Sequence, residues 1–478
     1  MANHWETVIG LEVHAQLSTK SKLFSSSGTT FGRAPNTLVD VVNLGLPGVL
    51  PVLNKEAVKM AIQAGIGLNC TIHPQSQFDR KHYFYPDLPK GYQITQFAQP
   101  YATAGYLDIA IGGSETKRIR INRIHMEEDA GKNVHDSCAL GSRSVIDFNR
   151  AGTPLIEIVS EPDLSSSQEV VSYLKSLRQI LRYLGVCDGN MQEGSFRCDV
   201  NISVRKHGKK ELGTRTELKN INSFKFIQQA TEYEVERQIY LLEAKEVIVQ
   251  ETRLWDSTKQ QTRSMRSKED AHDYRYFPDP DLPILNVSLE QIENLRNNLP
   301  ELPNKKKERF LSDFKLSEYD ATVLTEEPEV ATFFEEILNH HRNPKLAANW
   351  LMNELLRDAK ETPLHQLKFG AKELAELLAL IDSEVISGKI GKEVLGILKE
   401  EGGSPNRIVE SRGLKQVANS DELKPILEEI IARHPQQASD YRGGKTKLIG
   451  FFVGQIMKET QGKANPKLVN KILKELLG

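Results

Sequence analysis

Apolar and polar residues alternate with the two-residue period of β-strands through residues 1–298, and glycine and proline interrupt the runs. From about residue 299 the period changes, and leucine, alanine, glutamate and lysine recur at helical spacing, as in 346–358. The proline-flanked segment 300–303 marks this change, and a second break falls at Gly402-Gly403-Ser404-Pro405. We therefore predict a strand-rich domain over 1–298, a helical domain over 299–403 and a small helical tail over 404–478.

The composition is that of a globular protein, with 39% apolar and 26% charged residues among 478. A formal charge of −2 excludes a uniformly basic nucleic-acid coat. The four cysteines include no Cys-x-x-Cys pair, so neither a zinc ribbon nor a disulfide scaffold is indicated. No apolar run approaches the ~18 residues of a spanning helix, and the N-terminal residues do not resemble a secretory signal. We expect a cytoplasmic protein with no membrane association.

The charge of the tail differs from that of the whole chain. Residues 440–478 hold eight lysines or arginines against three acids, which favours a polyanionic partner, although a solvated surface would look the same. The tail also carries a helix-start signal, because Asn465 suits an N-cap and Pro466 the first helical position.

The first predicted strand, residues 8–16, places Glu12 and His14 side by side on its polar face. A carboxylate and an imidazole so placed can bind a divalent cation, although an ordinary solvated face has the same pattern.

Two further segments concentrate carboxylates. Three consecutive acids, 127–129, stand at the end of a predicted strand, where they suit an oxygen-preferring ion such as Mg²⁺ or belong to a polar turn. Glu157 lies within an apolar strand, 154–159, and burial of such a carboxylate is costly unless it is paired or metal-bound.

A predicted hairpin gathers cations. Strict alternation over 196–205, followed by a second strand over 214–221, puts Arg197, Arg205, Arg215 and Lys219 on one polar surface. This surface suits polyphosphate, and ion pairs on a solvated sheet are the alternative. The aromatic segments 78–92 and 273–283 either stack on a nucleotide or RNA end or pack as rigid loops.

The chemistry indicated is phosphoryl transfer assisted by metal and carboxylates. The chain contains no Walker A loop, no Gly-x-Gly-x-x-Gly fingerprint and no Gly-x-Ser-x-Gly nucleophile motif. Phosphoryl transfer depends mainly on positioning and charge neutralisation, which the clustered acids and cations supply.

These segments together, in order and along essentially the whole chain, resemble the B subunit of the bacterial glutamyl/aspartyl-tRNA amidotransferase. The likeness rests on these stretches: 8–14, 46–51, 78–92, 125–132, 147–154, 193–205, 217–220, 273–282 and 443–466. It implies an α+β fold, in which an antiparallel-sheet cradle similar to glutamine synthetase and guanido kinases precedes an all-helical domain and a small helical tail domain that binds tRNA.

The resemblance also implies the activity. ATP would phosphorylate the side-chain carboxylate of misacylated Glu-tRNA(Gln) or Asp-tRNA(Asn), and ammonia would then displace phosphate to give the amide. An amidase (glutaminase) subunit would supply the ammonia, and a small belt subunit would complete a heterotrimer. A noncatalytic tRNA-binding scaffold and a stand-alone ligase acting on a free amino acid are the alternatives.

Carried over by position, the resemblance assigns a catalytic divalent-metal site to Glu12, His14, Glu128 and Glu157, with ATP and Mg²⁺ as cofactors. It gives as candidates for phosphate contacts Lys81, Lys132, Arg197, Arg205 and Lys219. Some family members carry a four-cysteine zinc knob in the early loops. The corresponding residues 23–27 and 38–43 contain no cysteine, so we expect no structural zinc.

Overall fold

A computed structural model describes residues 4–112, 115–134, 144–267, 271–357, 363–416, 420–460 and 462–478. The chain divides into two units, residues 1–303 and 304–478. Strands dominate the first unit and helices the second, so the predicted α+β class is confirmed. A separate tail domain beginning at residue 404 stays a prediction.

A nine-stranded sheet forms the centre of the first unit, in the spatial order β14-β13-β12-β11-β1-β10-β7-β6-β2. Its strands are β1 (Trp5–Gln16), β2 (Thr71–Ile72), β6 (Ala102–Gly112), β7 (Glu115–Glu128), β10 (Pro154–Ser160), β11 (Phe196–Lys206), β12 (Thr216–Lys219), β13 (Glu251–Asp256) and β14 (Gln261–Ser267). Short strands form smaller sheets beside it: β3 (Gln75–Ser76), β4 (Asp79–His82), β5 (Tyr92–Thr95), β8 (Lys132–Val134), β9 (Val145–Asp147), β15 (Phe277–Pro278) and β16 (Leu285–Asn286).

The central sheet is antiparallel, as the resemblance implies, except at one pair of strands. Strands β12 and β13 are parallel, whereas the other neighbours in the sheet are antiparallel. The helix α3 (Phe224–Glu243) lies between them in the chain. A long connection of this kind returns the chain to the same end of the sheet, which a tight hairpin cannot do.

Helices α1 (Lys55–Gly67), α2 (Ser167–Tyr183) and α3 contact strands of the central sheet. Strand β1 explains which face they cover, because Ile9 and Val13 are fully buried in the same apolar cluster as residues of all three helices. Glu12 and His14 point to the opposite face and stay partly exposed, as the alternation predicts. The sheet therefore offers one polar face for chemistry.

The second unit is helical. Its helices are α5 (Pro303–Asp313), α6 (Glu318–Leu324), α7 (Pro328–His340), α8 (Pro344–Trp350), α9 (Ala371–Asp382), α10 (Gly388–Glu401), α11 (Pro405–Ser411), α12 (Ser420–Arg433), α13 (Pro435–Arg442), α14 (Ile449–Glu459) and α15 (Pro466–Leu477), and α4 (Leu289–Asn297) precedes them in the first unit. Residues 423–477 share a core of their own. Asn465 caps α15 through Lys467 N and Leu468 N, as predicted. Within the described part of the chain, no helix has the length and apolarity to cross a bilayer.

A buried ionic network under the central sheet joins α3 to β12, β13 and β14. Glu234 is fully buried and accepts hydrogen bonds from Thr216 Oγ1 (2.8 Å) and Thr262 Oγ1 (3.0 Å). Arg237 Nη2 donates to the same carboxylate at 2.7 Å, and Arg253 Nε lies 3.3 Å from it. Burial raises the pKa of Glu234, but hydrogen bonds from Arg237 outweigh this and lower it from the usual 4.5.

Replacing Glu234 with alanine should lower the free energy of unfolding of the first unit by about 3–5 kcal/mol, because two arginines lose their buried partner. Because the pKa of Glu234 is lower in the folded state than in the unfolded state, its ionised carboxylate stabilises the fold at pH values above the unfolded-state pKa, and this stabilisation disappears as the pH falls through the folded-state pKa. The difference in stability between the wild type and the variant should therefore be largest above about pH 4.5. Urea unfolding followed by tryptophan fluorescence at several pH values measures this. Glu236→Ala, at an exposed position of the same helix, is the control, and equal stability of the two variants would contradict the prediction.

Candidate metal centre

Strand register aligns four ionisable residues in one row across the polar face. Arg197 of β11 lies opposite His14 of β1, which lies opposite Glu157 of β10, which lies opposite His125 of β7. Side chains at directly opposite positions project to the same face and approach each other closely. Residues from four separated segments of the chain therefore meet in a single line.

The first cluster is formed by His14, Glu127 and Glu157, whose ligand atoms lie within 4.8 Å of one another. His14 Nε2 is 3.2 Å from Glu157 Oε2. His125 Nε2 lies between the two carboxylates, 3.5 Å from Glu157 Oε2 and 3.2 Å from Glu127 Oε1. Thr95 Oγ1 donates to Glu127 Oε1 at 2.8 Å, which fixes that carboxylate from the neighbouring sheet.

Electrostatics keep this cluster ionised in spite of its burial. Burial raises the pKa of Glu157, but His125 and His14 outweigh it and hold the pKa well below its usual range. Burial lowers the pKa of His125, yet the carboxylate of Glu157 reverses the effect and raises it to about 9. The two carboxylates of the cluster thus depend on neighbouring positive charge.

The second cluster contains only carboxylates, those of Glu12, Asp199 and Glu217, and their ligand atoms also lie within 4.8 Å of one another. Asn201 Nδ2 donates to Glu12 Oε1 at 3.0 Å. Lys219 Nζ contacts Asp199 and lies 3.4 Å from Glu217 Oε1. Glu12 and Asp199 are directly opposite in the row next to that of His14 and Arg197, so the two clusters are neighbours on the face.

Both donor sets fit divalent cations. One imidazole with two carboxylates is a common set for such ions, and three carboxylates supply the oxygen ligands that Mg²⁺ prefers. The protein's own hydrogen bonds and ion pairs, from Thr95, Asn201 and Lys219, hold these side chains in position. The face is therefore organised in advance for cations.

Of the four residues predicted to hold metal, the structure brings three to the clusters. Glu12 lies in the second cluster, and His14 and Glu157 lie in the first. The structure does not bring Glu128 to either of them, since its carboxylate accepts from Ile94 N at 3.0 Å and contacts Lys90 Nζ. Adjacent residues of a strand point to opposite sides, so Glu127 takes the place beside His125.

The predicted phosphate-contact residues do not all meet at one place. Lys219 lies at the second cluster, and Lys81 Nζ lies 4.8 Å from the centre of the Tyr274 ring. Burial lowers the pKa of Lys81, but Glu127 leads the groups that raise it above its usual value. Arg205 lies apart from both clusters. It is opposite Glu6, six residues before Glu12 in β1, and makes two hydrogen bonds to the Glu6 carboxylate.

A cleft of about 520 Å³, called the cationic cleft below, opens beside the first row. Four cations line it, Arg33, Lys132, Arg150 and Arg197, together with three carboxylates, Asp147, Glu193 and Asp199. Arg197 Nη2 donates to Asp129 Oδ1 at 3.1 Å, and Gln16 Nε2 donates to Asp129 Oδ2 at 2.7 Å. Asp129 therefore orients Arg197 toward the cleft. Two of the predicted phosphate-contact residues, Lys132 and Arg197, meet here.

The predicted aromatic segments also meet, because β15 pairs with β4. Tyr276 stacks on Phe97 with ring centres 4.0 Å apart, and Tyr274 packs edge-on against Tyr83. These rings contact one another, as the rigid-packing alternative expects.

The predicted metal ligands did not include three of the residues that form the clusters, Glu127, Asp199 and Glu217, nor His125 beside the first cluster. Each lies on a polar face or in an acidic run that the alternation identified. A period-two pattern gives the face of one strand only, and the residues opposite each other depend on register. One local signal separates Glu127 from Glu128: residues 125 and 127 are two apart in the strand, so their side chains point to the same face.

Comparisons with known proteins identify the family. The family described as "GatB/GatE catalytic domain" matches residues 7–293, and the family described as "GatB domain" matches residues 332–477. Relatives named as the B subunit of aspartyl/glutamyl-tRNA(Asn/Gln) amidotransferase include those of Thermosynechococcus vestitus (54% identical, covering 99% of this chain and 96% of the relative) and Persephonella marina (54%, covering 99% of each). That of Coxiella burnetii is 52% identical over 99% of this chain and 100% of the relative. The predicted resemblance is confirmed, and the chain belongs to the family of B subunits of aspartyl/glutamyl-tRNA(Asn/Gln) amidotransferases.

Proposed function

We propose that this chain is the subunit of a tRNA-dependent amidotransferase that phosphorylates the side-chain carboxylate of Glu-tRNA(Gln), Asp-tRNA(Asn) or both with ATP. The acyl phosphate is then converted to the amide by ammonia. The observation that carries the proposal is the pair of adjacent acidic clusters on one sheet face, bordered by a cationic cleft.

The chemistry explains why such a face is useful. A carboxylate is a poor acyl donor because its oxygen leaves badly, and phosphorylation gives it a good leaving group. Divalent cations held by the two clusters would neutralise the charge repulsion between ATP and the substrate carboxylate. His14, Glu127 and Glu157 would hold one ion, and Glu12, Asp199 and Glu217 the other.

The chain's own cations have separate tasks in this proposal. Arg197, oriented by Asp129, binds an anionic oxygen of the substrate or of the transferring phosphoryl group from the cationic cleft. Lys219 holds Asp199 and Glu217 in position and lies close enough to contact a phosphate. Arg205 has no part in the reaction, because it lies opposite Glu6, six residues along β1 from Glu12 of the second cluster.

The assembly and location follow from the same proposal. An amidase subunit supplies ammonia from glutamine, a small belt subunit completes the heterotrimer, and misacylated tRNA binds through the basic tail. We place the enzyme in the cytoplasm because its substrate is a charged tRNA. The exposed residues Lys467, Lys471 and Lys474 lie along one face of α15 and form the proposed RNA contact, and Lys467 also contacts Glu384.

Replacing Glu157 with glutamine should lower ATP-dependent amide formation about 10³-fold, because a loss of several kcal/mol of charge stabilisation has this effect on a rate. The assay uses the reconstituted heterotrimer with each misacylated tRNA in turn, and glutamine hydrolysis by the amidase subunit should stay intact. Glu115→Gln, at the exposed start of β7, is the control. Full amide formation by the Glu157 variant would refute the assignment, and wild-type protein without ATP-dependent phosphorylation would favour a scaffold.

Manganese titration of the full chain, followed by electron paramagnetic resonance, should reveal two bound ions. His14→Ala should remove one and Glu217→Gln the other, because each variant loses a ligand from a different cluster. Arg205→Gln should retain both ions. A His14→Ala variant that still binds two ions would contradict the division into two clusters.

Changing Lys467, Lys471 and Lys474 together to glutamine should weaken tRNA binding and reduce the slope of log K against log salt by about 0.7–0.9 for each phosphate that the protein no longer neutralises. Filter binding across a salt series measures both effects. The same changes at the exposed Lys345, Lys372 and Lys389 serve as a control. An unchanged slope in the α15 variant would exclude this face as the RNA contact.

A further inference from the structure

Two loops that line the cationic cleft each bring an arginine to it. The first loop, residues 17–54, connects β1 to α1 and carries Arg33. The second loop, residues 148–153, connects β9 to β10 and carries Arg150. Guanidinium groups from two separate loops can act on one ligand only if the loops are held together, so the junction between them decides how the cleft presents its charge.

Asn36 forms one half of this junction. Its Nδ2 donates to Ile146 O at 3.0 Å, and its Oδ1 accepts from Phe148 N at 2.8 Å. Its backbone N donates to Asp147 Oδ1 at 3.1 Å. The backbone of Asn36 is left-handed, with φ of 60°, and asparagine tolerates this conformation better than most residues do. The residue type therefore suits both the turn and the bonds.

Asn149 of the second loop forms the other half. Its Oδ1 accepts from Leu38 N at 2.8 Å, and its Nδ2 donates to Ala34 O at 2.7 Å. Each of the two side-chain amides thus donates to the backbone across the junction and accepts from it. Asn36 and Asn149 together are called the asparagine clasp below.

The clasp is the main anchor of the tip of the first loop, residues 30–37. All residues from 31 to 37 are exposed, so burial of apolar side chains does not hold the tip. Among the described residues outside the first loop, only Asn149 makes hydrogen bonds to residues 30–35. Arg33 lies in this stretch, and its position therefore depends on the clasp.

The base of the first loop is fixed separately. Asp40 Oδ1 accepts from Val42 N at 2.8 Å and from Asn43 N at 2.9 Å. The other oxygen of Asp40 contacts Ser25 Oγ. A Cβ atom at Gly152 would lie 1.8 Å from Asn43 Oδ1, so the second loop packs directly against this base. Opening the clasp should therefore release the tip and leave the rest of the loop in place.

Several charged groups of the cleft have partners within the protein. Arg197 and Arg150 share the carboxylate of Asp129, at 3.1 Å and 3.7 Å. This trio keeps a net positive charge, because two guanidinium groups face one carboxylate. Lys219 contacts Asp199, so the Asp199 carboxylate has its own counter-charge and does not cancel an arginine of the cleft.

The remaining charged groups leave Arg33 available to a ligand. Asp147 Oδ1 accepts from the backbone N atoms of both clasp residues, at 3.1 Å and 2.9 Å, and so belongs to the junction. Glu193 is exposed in the segment before β11. Among the described residues, Arg33 and Lys132 have no ion-pair partner. Two such cations against the one carboxylate of Glu193 keep the cleft attractive to an anion.

We propose that the two residues of the asparagine clasp are positioning residues, which hold Arg33 so that its guanidinium contacts a backbone phosphate near the 3′ end of misacylated tRNA. This inference rests on the proposed function and adds the residues that determine how the RNA end is held. The location of Arg33 favours a phosphate of RNA over one of ATP. Arg33 lies on an exposed tip, where an RNA end leading out of the cleft would pass, whereas the acidic clusters that would hold the cations of ATP lie on the central strands.

Arg33→Gln tests the contact. The KM of the reconstituted heterotrimer for misacylated tRNA should rise about 10-fold while kcat and the KM for ATP stay within twofold, because a contact present in both the ground state and the transition state affects KM alone. The slope of log KM against log salt should fall by about 0.7–0.9, the value for one phosphate. An unchanged KM for tRNA, or a rise in the KM for ATP instead, would overturn the proposal.

Asn36→Gly tests the clasp, because glycine keeps the left-handed backbone and removes both side-chain bonds. The KM for tRNA should rise about 5-fold in the wild-type background but less than about twofold in the Arg33→Gln background, since the clasp acts through Arg33. Asn149→Ala should behave in the same way. Effects that multiply in the double variants would mean that the clasp does not act through Arg33, and the proposal would fall.

Asn69→Gly is the matched control. Asn69 lies between α1 and β2, has the same left-handed backbone with φ of 58°, and donates through Nδ2 to Tyr106 O at 3.2 Å. This variant should leave both KM values unchanged, and an equal rise there would count against the clasp. Each variant should bind manganese as the wild type does, which separates a local effect from loss of the fold. Wild-type heterotrimer that forms no amide would instead refute the proposed function.

Discussion

The structure depends on the position of Glu157 between two histidines. Strand β10 lies between β1 and β7 in a register that sets Glu157 opposite both His14 and His125. A carboxylate in this half-buried position would be costly without positive charge nearby. The register supplies that charge, and the same register brings Glu127 to within reach of His14. A shift of one residue would turn these side chains toward the apolar core.

The cationic cleft and the two clusters are arranged along the polar side of β1. Every second residue of the strand faces the polar side, so a single rigid element presents different chemical groups at intervals of about 7 Å. The helices on the other face hold the strand through Ile9 and Val13. The buried Glu234 network ties α3 to β12, β13 and β14, and β12 carries Glu217 and Lys219. Stability on one side of the sheet thus preserves geometry on the other.

Much of this arrangement could be predicted. Alternation identified the polar faces of β1 and β11, the hairpin between β11 and β12 formed as expected, and Asn465 caps its helix. The local pattern says less about how two segments are placed against each other. Glu128 lies beside Lys90 and outside both clusters, Arg205 pairs with Glu6, and β12 and β13 run parallel because α3 intervenes. None of these outcomes depends on the local pattern.

The sequence by itself determined the faces of the strands, the change from strands to helices near residue 299, and the family to which the chain belongs. These properties are local or cumulative along the chain, and hydrophobic periodicity records them directly. Only the tertiary structure decided which acids cluster and where the cationic cleft opens. Both depend on strand register and loop packing, which arise from contacts between residues more than 100 positions apart, such as His14 and Glu157.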